Sequence, residues 1–244
     1  MGNMTDAVKH LLIINIIFFI ATQIYGDQMY LWLALWFPEN GNFQFWQVAT
    51  HMFMHGGFMH IVFNMYALWA FGTPLERMWG RNKFLFFYFS AGLGAALLHT
   101  AMNYYSFNSG LDALVANGIP KSQIIDIIAS GKYSPGWNDV IGQAKVDSFL
   151  SAYNTPAVGA SGAIYGILVA FAFMYSEAEL MLIFLPIPIK AKYFVPLMIA
   201  GDLFFGFSSY STGIAHFAHI GGAIAGFIMM WYWKKNQFNN KRWD

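Results

Sequence analysis

Six stretches of this chain are apolar over lengths close to what a bilayer crossing needs, about 20 residues. They run over about residues 7–25, 51–71, 84–103, 158–175, 193–207 and 213–233. Hydrocarbon offers no partner to a backbone amide, so a lone apolar segment of this length is expected to be a helix. Composition agrees: 57% of the residues are hydrophobic and 10% charged, against roughly 25% charged in a soluble domain. Too few polar groups remain to coat a water-soluble globule, which excludes an ordinary soluble enzyme and a disordered chain. The absence of Cys excludes thiol catalysis, thiolate metal sites and a disulfide scaffold. Net charge is +1 and no basic run exceeds two residues, so nucleic acid is not an expected partner. The expected fold class is an all-α polytopic membrane protein, a single domain over residues 1–244 with six spans.

Positive charge sets the orientation, because Lys and Arg concentrate in cytoplasmic loops. Lys9 lies at the start of the first stretch, before its apolar core LLIINIIFFIATQIY. Arg77, Arg81 and Lys83 follow the second, and Lys190 and Lys192 precede the fifth. Lys234, Lys235, Lys241 and Arg242 follow the sixth, in a short tail over about 234–244. These are ten of the 13 cations, all on one set of loops. Both termini are therefore expected in the cytoplasm. The first stretch has only Lys9 as a positive charge before its apolar core and no small-residue cleavage site after it, so it reads as a retained anchor, not a signal peptide.

Two connections are unusual. Residues from about 104 to 157 form an outward insertion between spans three and four, with two amphipathic stretches, PKSQIIDIIASG and GWNDVIGQAKVDSFLSAY. Neither is long or apolar enough to span, and both are expected to lie on the outer leaflet. On the cytoplasmic side, Pro186 and Pro188 keep MLIFLPIPIKAK out of a regular helix, so it reads as an extended segment at the interface.

Polar groups inside spans are costly and mark candidate sites. His60 and Asn64, at i and i+4, share one helix face, and His51 and His55 repeat the spacing upstream. Gly159, Gly162 and Gly166 in AVGASGAIYG make a small-residue face beside Ser161, leaving its hydroxyl uncovered. In AHFAHIGGAIAGF, His219, Gly222 and Gly226 share a face, and packing of Gly222 and Gly226 on the first glycine face would bring His219 to Ser161. Each group also has a bland reading: helix packing for the glycines, a bond to its own helix for Ser161, snorkelling or packing for Asp202. Agreement in depth counts against coincidence. His60, Ser161 and His219 all fall within about 10–15 Å of the outer surface at 1.5 Å per residue.

HMFMHGGFMHIVFN, GASGAIYG and AHFAHIGG, in that order on the second, fourth and sixth spans, resemble the rhomboid intramembrane serine proteases over about residues 10–233. The resemblance implies a six-helix bundle in a membrane, that of a bacterial cytoplasm, with Ser161 as nucleophile and His219 as base. It implies that His60 and Asn64 assist the oxyanion and that Tyr165 packs against His219. Glu76 and Arg77, in TPLERMWGRNK, become structural residues of an inner loop. No acid partner for His219 is evident, so the expected unit is a Ser–His dyad with no cofactor and no metal. The implied partners are membrane lipid and a transmembrane protein substrate. Gln47 departs from the Trp-Arg pair common in the family, and the insertion is longer than usual there.

Two rivals belong to other classes. An inactive rhomboid-like protein would bind membrane clients without cutting them, but such relatives lack the Ser or the His. A membrane di-iron oxidase could use His51 with His55 and His216 with His219, though adjacent His pairs are missing and these residues face outward.

Overall fold

The computed structural model describes residues 3–182, 185–208 and 213–236; Lys241 and Arg242 of the expected tail lie outside them. The chain is mostly helical. The helices are α1 (Asp6–Tyr25), α2 (Asp27–Leu33), α3 (Gln47–Thr50), α4 (Phe58–Ala67), α5 (Thr73–Trp79) and α6 (Arg81–Ala116). They continue as α7 (Lys121–Ala129), α8 (Trp137–Ile141), α9 (Gln143–Asn154), α10 (Ser161–Met174), α11 (Ala191–Phe207) and α12 (His216–Asn236). Between α10 and α11, β1 (Glu179–Leu182) and β2 (Leu185–Lys190) pair antiparallel, with Glu179 opposite Lys190 and Leu180 opposite Ile189. The Pro-rich segment is thus extended, but as a hairpin. Lys190 and Lys192 both reach Glu177 beside it and hold that exposed carboxyl down to about 2.

Polarity is arranged inside out. Ile24 of α1, Leu97 of α6 and Phe204 of α11 are each about 70% exposed, while Asn15, Asn64, Glu76 and Asp202 are buried. An apolar exterior of this extent marks a surface that is not meant for water. The main core lies between α1, α4, α5, α6, α10, α11 and α12, around Leu68, Leu75, Phe84, Phe87, Ile167 and Val195.

By length and composition, two helices among the described residues can each cross a membrane alone, α1 and α6; α10 is apolar but 14 residues long. The expected second span is interrupted. A short 3-10 turn covers His51–Phe53, the chain extends at Met54, and α4 begins only at Phe58. From there α4 passes through a wider π turn at Leu68–Gly72 into α5. The glycine pair Gly56 and Gly57 explains the break, since glycine weakens a helix that hydropathy alone would continue. Glu76 of α5 caps α1: its carboxylate accepts from the Ala7 and Val8 amides at 2.8 and 2.9 Å and from the Thr5 hydroxyl at 2.5 Å. An anion at this end satisfies orphan amides and the helix dipole together. Arg77 donates to the Asn3 carbonyl.

The insertion differs most from expectation. The third span does not stop near residue 103. α6 runs for 36 residues, about 54 Å at 1.5 Å per residue, well over the roughly 30 Å of bilayer hydrocarbon. Its far end, with Phe107, Leu111 and Leu114, forms a second core with Ile124 and Ile128 of α7, Trp137 of α8, and Val146 and Phe149 of α9. The apolar faces of both amphipathic stretches are therefore buried against α6 and are not spread on a leaflet. Phe37 joins this core, Asn40 donates to the Tyr153 carbonyl at 2.8 Å, and Leu35 bridges Ala157. These contacts tie the insertion to the loop before α3.

Candidate active site

The site is built around the first turn of α10. The Gly159 amide donates to the His51 carbonyl at 3.0 Å, which fixes where the chain enters the helix. Gly159 has φ +129°, and a Cβ there would lie 3.0 Å from His60 Nε2. Both the backbone conformation and the space require glycine. Ser161 is the first residue of α10. Backbone amides in a first turn have no intrahelical acceptor, and the helix dipole adds positive potential there, so an anion beside Ser161 would be stabilised.

α12 brings the second group. A Cβ on Gly222 would lie 1.8 Å from the Gly162 carbonyl oxygen, and one on Gly226 would lie 2.7 Å from Gly166 Cα. The two backbones touch, with α6 closing on the same crossing through Ala95 and Ala91. Gly162 follows Ser161 directly, and Gly222 is one turn after His219. The crossing therefore carries the imidazole to the hydroxyl: His219 Nε2 lies 2.9 Å from Ser161 Oγ. Tyr165, one turn along α10, stacks on the His219 ring.

His60 lies against Gly159, two residues before Ser161. The Gly56 amide donates to His60 Nδ1 at 3.3 Å, which leaves the ring proton on Nε2, the nitrogen turned toward Gly159. A donor thus faces the first turn of α10. Asn64 is buried one turn further on and donates to the His60 carbonyl at 2.8 Å. His51 and His55 are not on this helix. His51 Nδ1 pairs with the Gln47 carbonyl at 2.9 Å, and His55 packs on His60 with ring centroids 5.0 Å apart. Gln47 is itself fully buried. Its amide nitrogen donates to the Leu31 and Asn42 carbonyls at 2.9 and 3.0 Å, so a neutral amide organises this loop.

Sequence reasoning missed the neighbours of His219. It found no acid for that residue, yet Asp202 Oδ1 of α11 lies 3.0 Å from His219 Nδ1 and 2.6 Å from His216 Nδ1. The available signal was a carboxylate inside an apolar stretch, with two His three apart in the next one. These three donor atoms lie within 4.8 Å of one another. The 2.6 and 3.0 Å separations are hydrogen-bond lengths, shorter than the about 3.3 Å between ligands around a tetrahedral zinc. The arrangement is a hydrogen-bonded chain, and His51 and His55 are not part of it. A hydroxyl in reach of an imidazole nitrogen, beside unpaired helix amides, is suited to attack on a carbonyl.

The family model of the Rhomboid domain matches residues 42–117 and 139–236. The match contains α4, α6, α10, α11 and α12, with His60, Asn64, Ser161, Tyr165, Asp202, His216 and His219. Residues 118–138, which hold α7, fall outside it, as does α1.

Proposed function

Because the chain belongs to the rhomboid family of membrane-embedded proteases, we propose that it is an active intramembrane serine endopeptidase, with Ser161 as nucleophile and His219 as base. It is an integral membrane protein, and family members act on transmembrane protein substrates. The observation that carries the proposal is the 2.9 Å contact between Ser161 Oγ and His219 Nε2. The reaction follows from the residue types. His219 Nε2 takes the Ser161 proton as Oγ bonds to the scissile carbonyl carbon. The oxyanion is met by the Ser161 amide and the His60 Nε2 proton, with Asn64 fixing the His60 turn. Collapse breaks the C–N bond, and His219 returns the proton to the leaving amine. Water then cleaves the acyl-enzyme by the same exchange.

The finer topology belongs to the same proposal: six crossings, made by α1, the run of α4 and α5, α6, α10, α11 and α12, with both termini cytoplasmic and cleavage near the outer face. A substrate helix must unwind to expose an amide, so segments holding Gly, Pro or polar residues are the expected substrates. The test is cleavage of such a transmembrane reporter, together with fluorophosphonate labelling of Ser161. Cleavage by Ser161→Ala at the wild-type rate would remove the assignment. Since the chain has no Cys, single introduced cysteines would report the side of each loop without background.

A further inference from the structure

The reaction above leaves two buried groups beside His219 unused. Asp202 is 6% exposed on α11. His216 and His219, three apart on α12, turn to it from one helix face. One carboxylate oxygen serves both rings, at 2.6 Å from His216 Nδ1 and 3.0 Å from His219 Nδ1. A carboxylate only accepts, so the His219 proton is drawn to Nδ1. Nε2 then holds its lone pair toward Ser161 Oγ, 2.9 Å away. This is the tautomer that can take a proton from the hydroxyl. Tyr165 stacks on the ring and holds its plane. Once Nε2 is protonated, an imidazolium lies against a carboxylate in a site of low dielectric, where opposite charges attract more strongly than in water.

We infer that Asp202 is a positioning residue for catalysis: it holds His219 in the Nδ1–H tautomer and stabilises the imidazolium, while His216 fixes the carboxylate. The unit is then Ser161–His219–Asp202 and not a dyad alone. The inference rests on the protease reading and adds a third group to it. The contrary view is that Asp202 only ties α11 to α12.

The test uses the full chain in detergent micelles with a transmembrane reporter, and kcat is expressed per folded molecule. Asp202→Asn should lower kcat by about 10²- to 10⁴-fold with KM within a few-fold, as expected when an orienting carboxylate is lost and the wrong tautomer follows. Asp202→Glu should recover part of that loss. A kcat within threefold of wild type in Asp202→Asn, or a change confined to KM or to folded yield, overturns the inference. Should Asp202→Asn not fold, histidine-selective ¹⁵N spectra of the wild-type protein decide, with His219→Gln assigning the signal. A proton on Nδ1 supports the inference and a proton on Nε2 overturns it. The protease reading fails separately, if Ser161→Ala cuts like wild type. If that variant is dead and Asp202→Asn is unimpaired, only the third group is lost.

Discussion

Tyr165 and His219 stack face to face, with ring centroids 4.2 Å apart and planes inclined by 10°. The tyrosine fixes the plane of the ring, and the polar contacts at its two nitrogens fix its rotation in that plane. Tyr165→Phe keeps the stack and should retain most activity. Tyr165→Ala should lower kcat by about 10- to 100-fold, because a misplacement on the order of 1 Å is enough for that. Steady-state kinetics on the two variants check it.

Gly222 and Gly226 make a graded prediction. An added methyl at Gly222 would overlap the Gly162 carbonyl at 1.8 Å, and at Gly226 it would meet Gly166 at 2.7 Å. At Gly201 of α11 nothing lies within 4 Å. Thermal unfolding should therefore rank Gly222→Ala as the most damaging, then Gly226→Ala, with Gly201→Ala near neutral. Overpacking of this kind costs about 1–3 kcal/mol or more. Valine at either crossing position should also separate His219 from Ser161 and abolish cleavage. Wild-type stability in Gly222→Ala would contradict the backbone contact.

His60→Ala should fold and still lose activity, by about 10²- to 10³-fold in kcat, the usual effect of removing one oxyanion donor. Asn64→Ala acts through the His60 turn and should be milder. Neither effect should respond to EDTA, and wild-type cleavage should survive the chelator. Inhibition by EDTA that zinc reverses would require a different reading of Asp202, His216 and His219.

Glu76 is buried and accepts from Thr5, Ala7 and Val8. Glu76→Gln keeps the shape but loses the charge on these bonds. A loss of about 1.5–3 kcal/mol is expected, the range for hydrogen bonds to charged groups. Fluorophosphonate labelling of the folded fraction should be unchanged, since Glu76 is at the other end of the α4–α5 run from His60. Unfolding in denaturant measures the first part and labelling the second.

Phe149 is fully buried in the insertion core, stacked on Phe107 with centroids 5.2 Å apart. Phe149→Ala should cost the insertion about 3–5 kcal/mol. Limited proteolysis should then cut within α7 to α9, while α10 remains protected and Ser161 still labels. Loss of labelling would mean that the insertion shapes the catalytic centre through the Leu35–Ala157 bridge.

The legible parts of this protein were those encoded in consecutive residues. The apolar stretches at 7–25 and 84–103 fall within α1 and α6, because helix formation in hydrocarbon needs only a local run of apolar side chains. The glycines at 159, 162, 166, 222 and 226 were legible as close-approach positions, because removing a side chain is itself a local statement. The break between His51 and Phe58 was less so. Hydropathy runs straight through it, and only Gly56 with Gly57 hinted that His51 and His55 leave the helix of His60.

What the sequence determined by itself was a membrane-embedded helical chain of the rhomboid family, with Ser161 and His219 on small-residue faces able to meet. Tertiary structure decided the partners of groups far apart in the chain. Asp202 could be seen as a costly carboxylate, but its bond to His219 exists only because α11 packs beside α12 at that height. The amphipathic stretches of the insertion showed an apolar face without saying what would cover it, and the cover proved to be the overlong end of α6. Periodicity fixes which side of a helix must be buried. The identity of the burying surface depends on packing between distant segments, and no single stretch of sequence carries it.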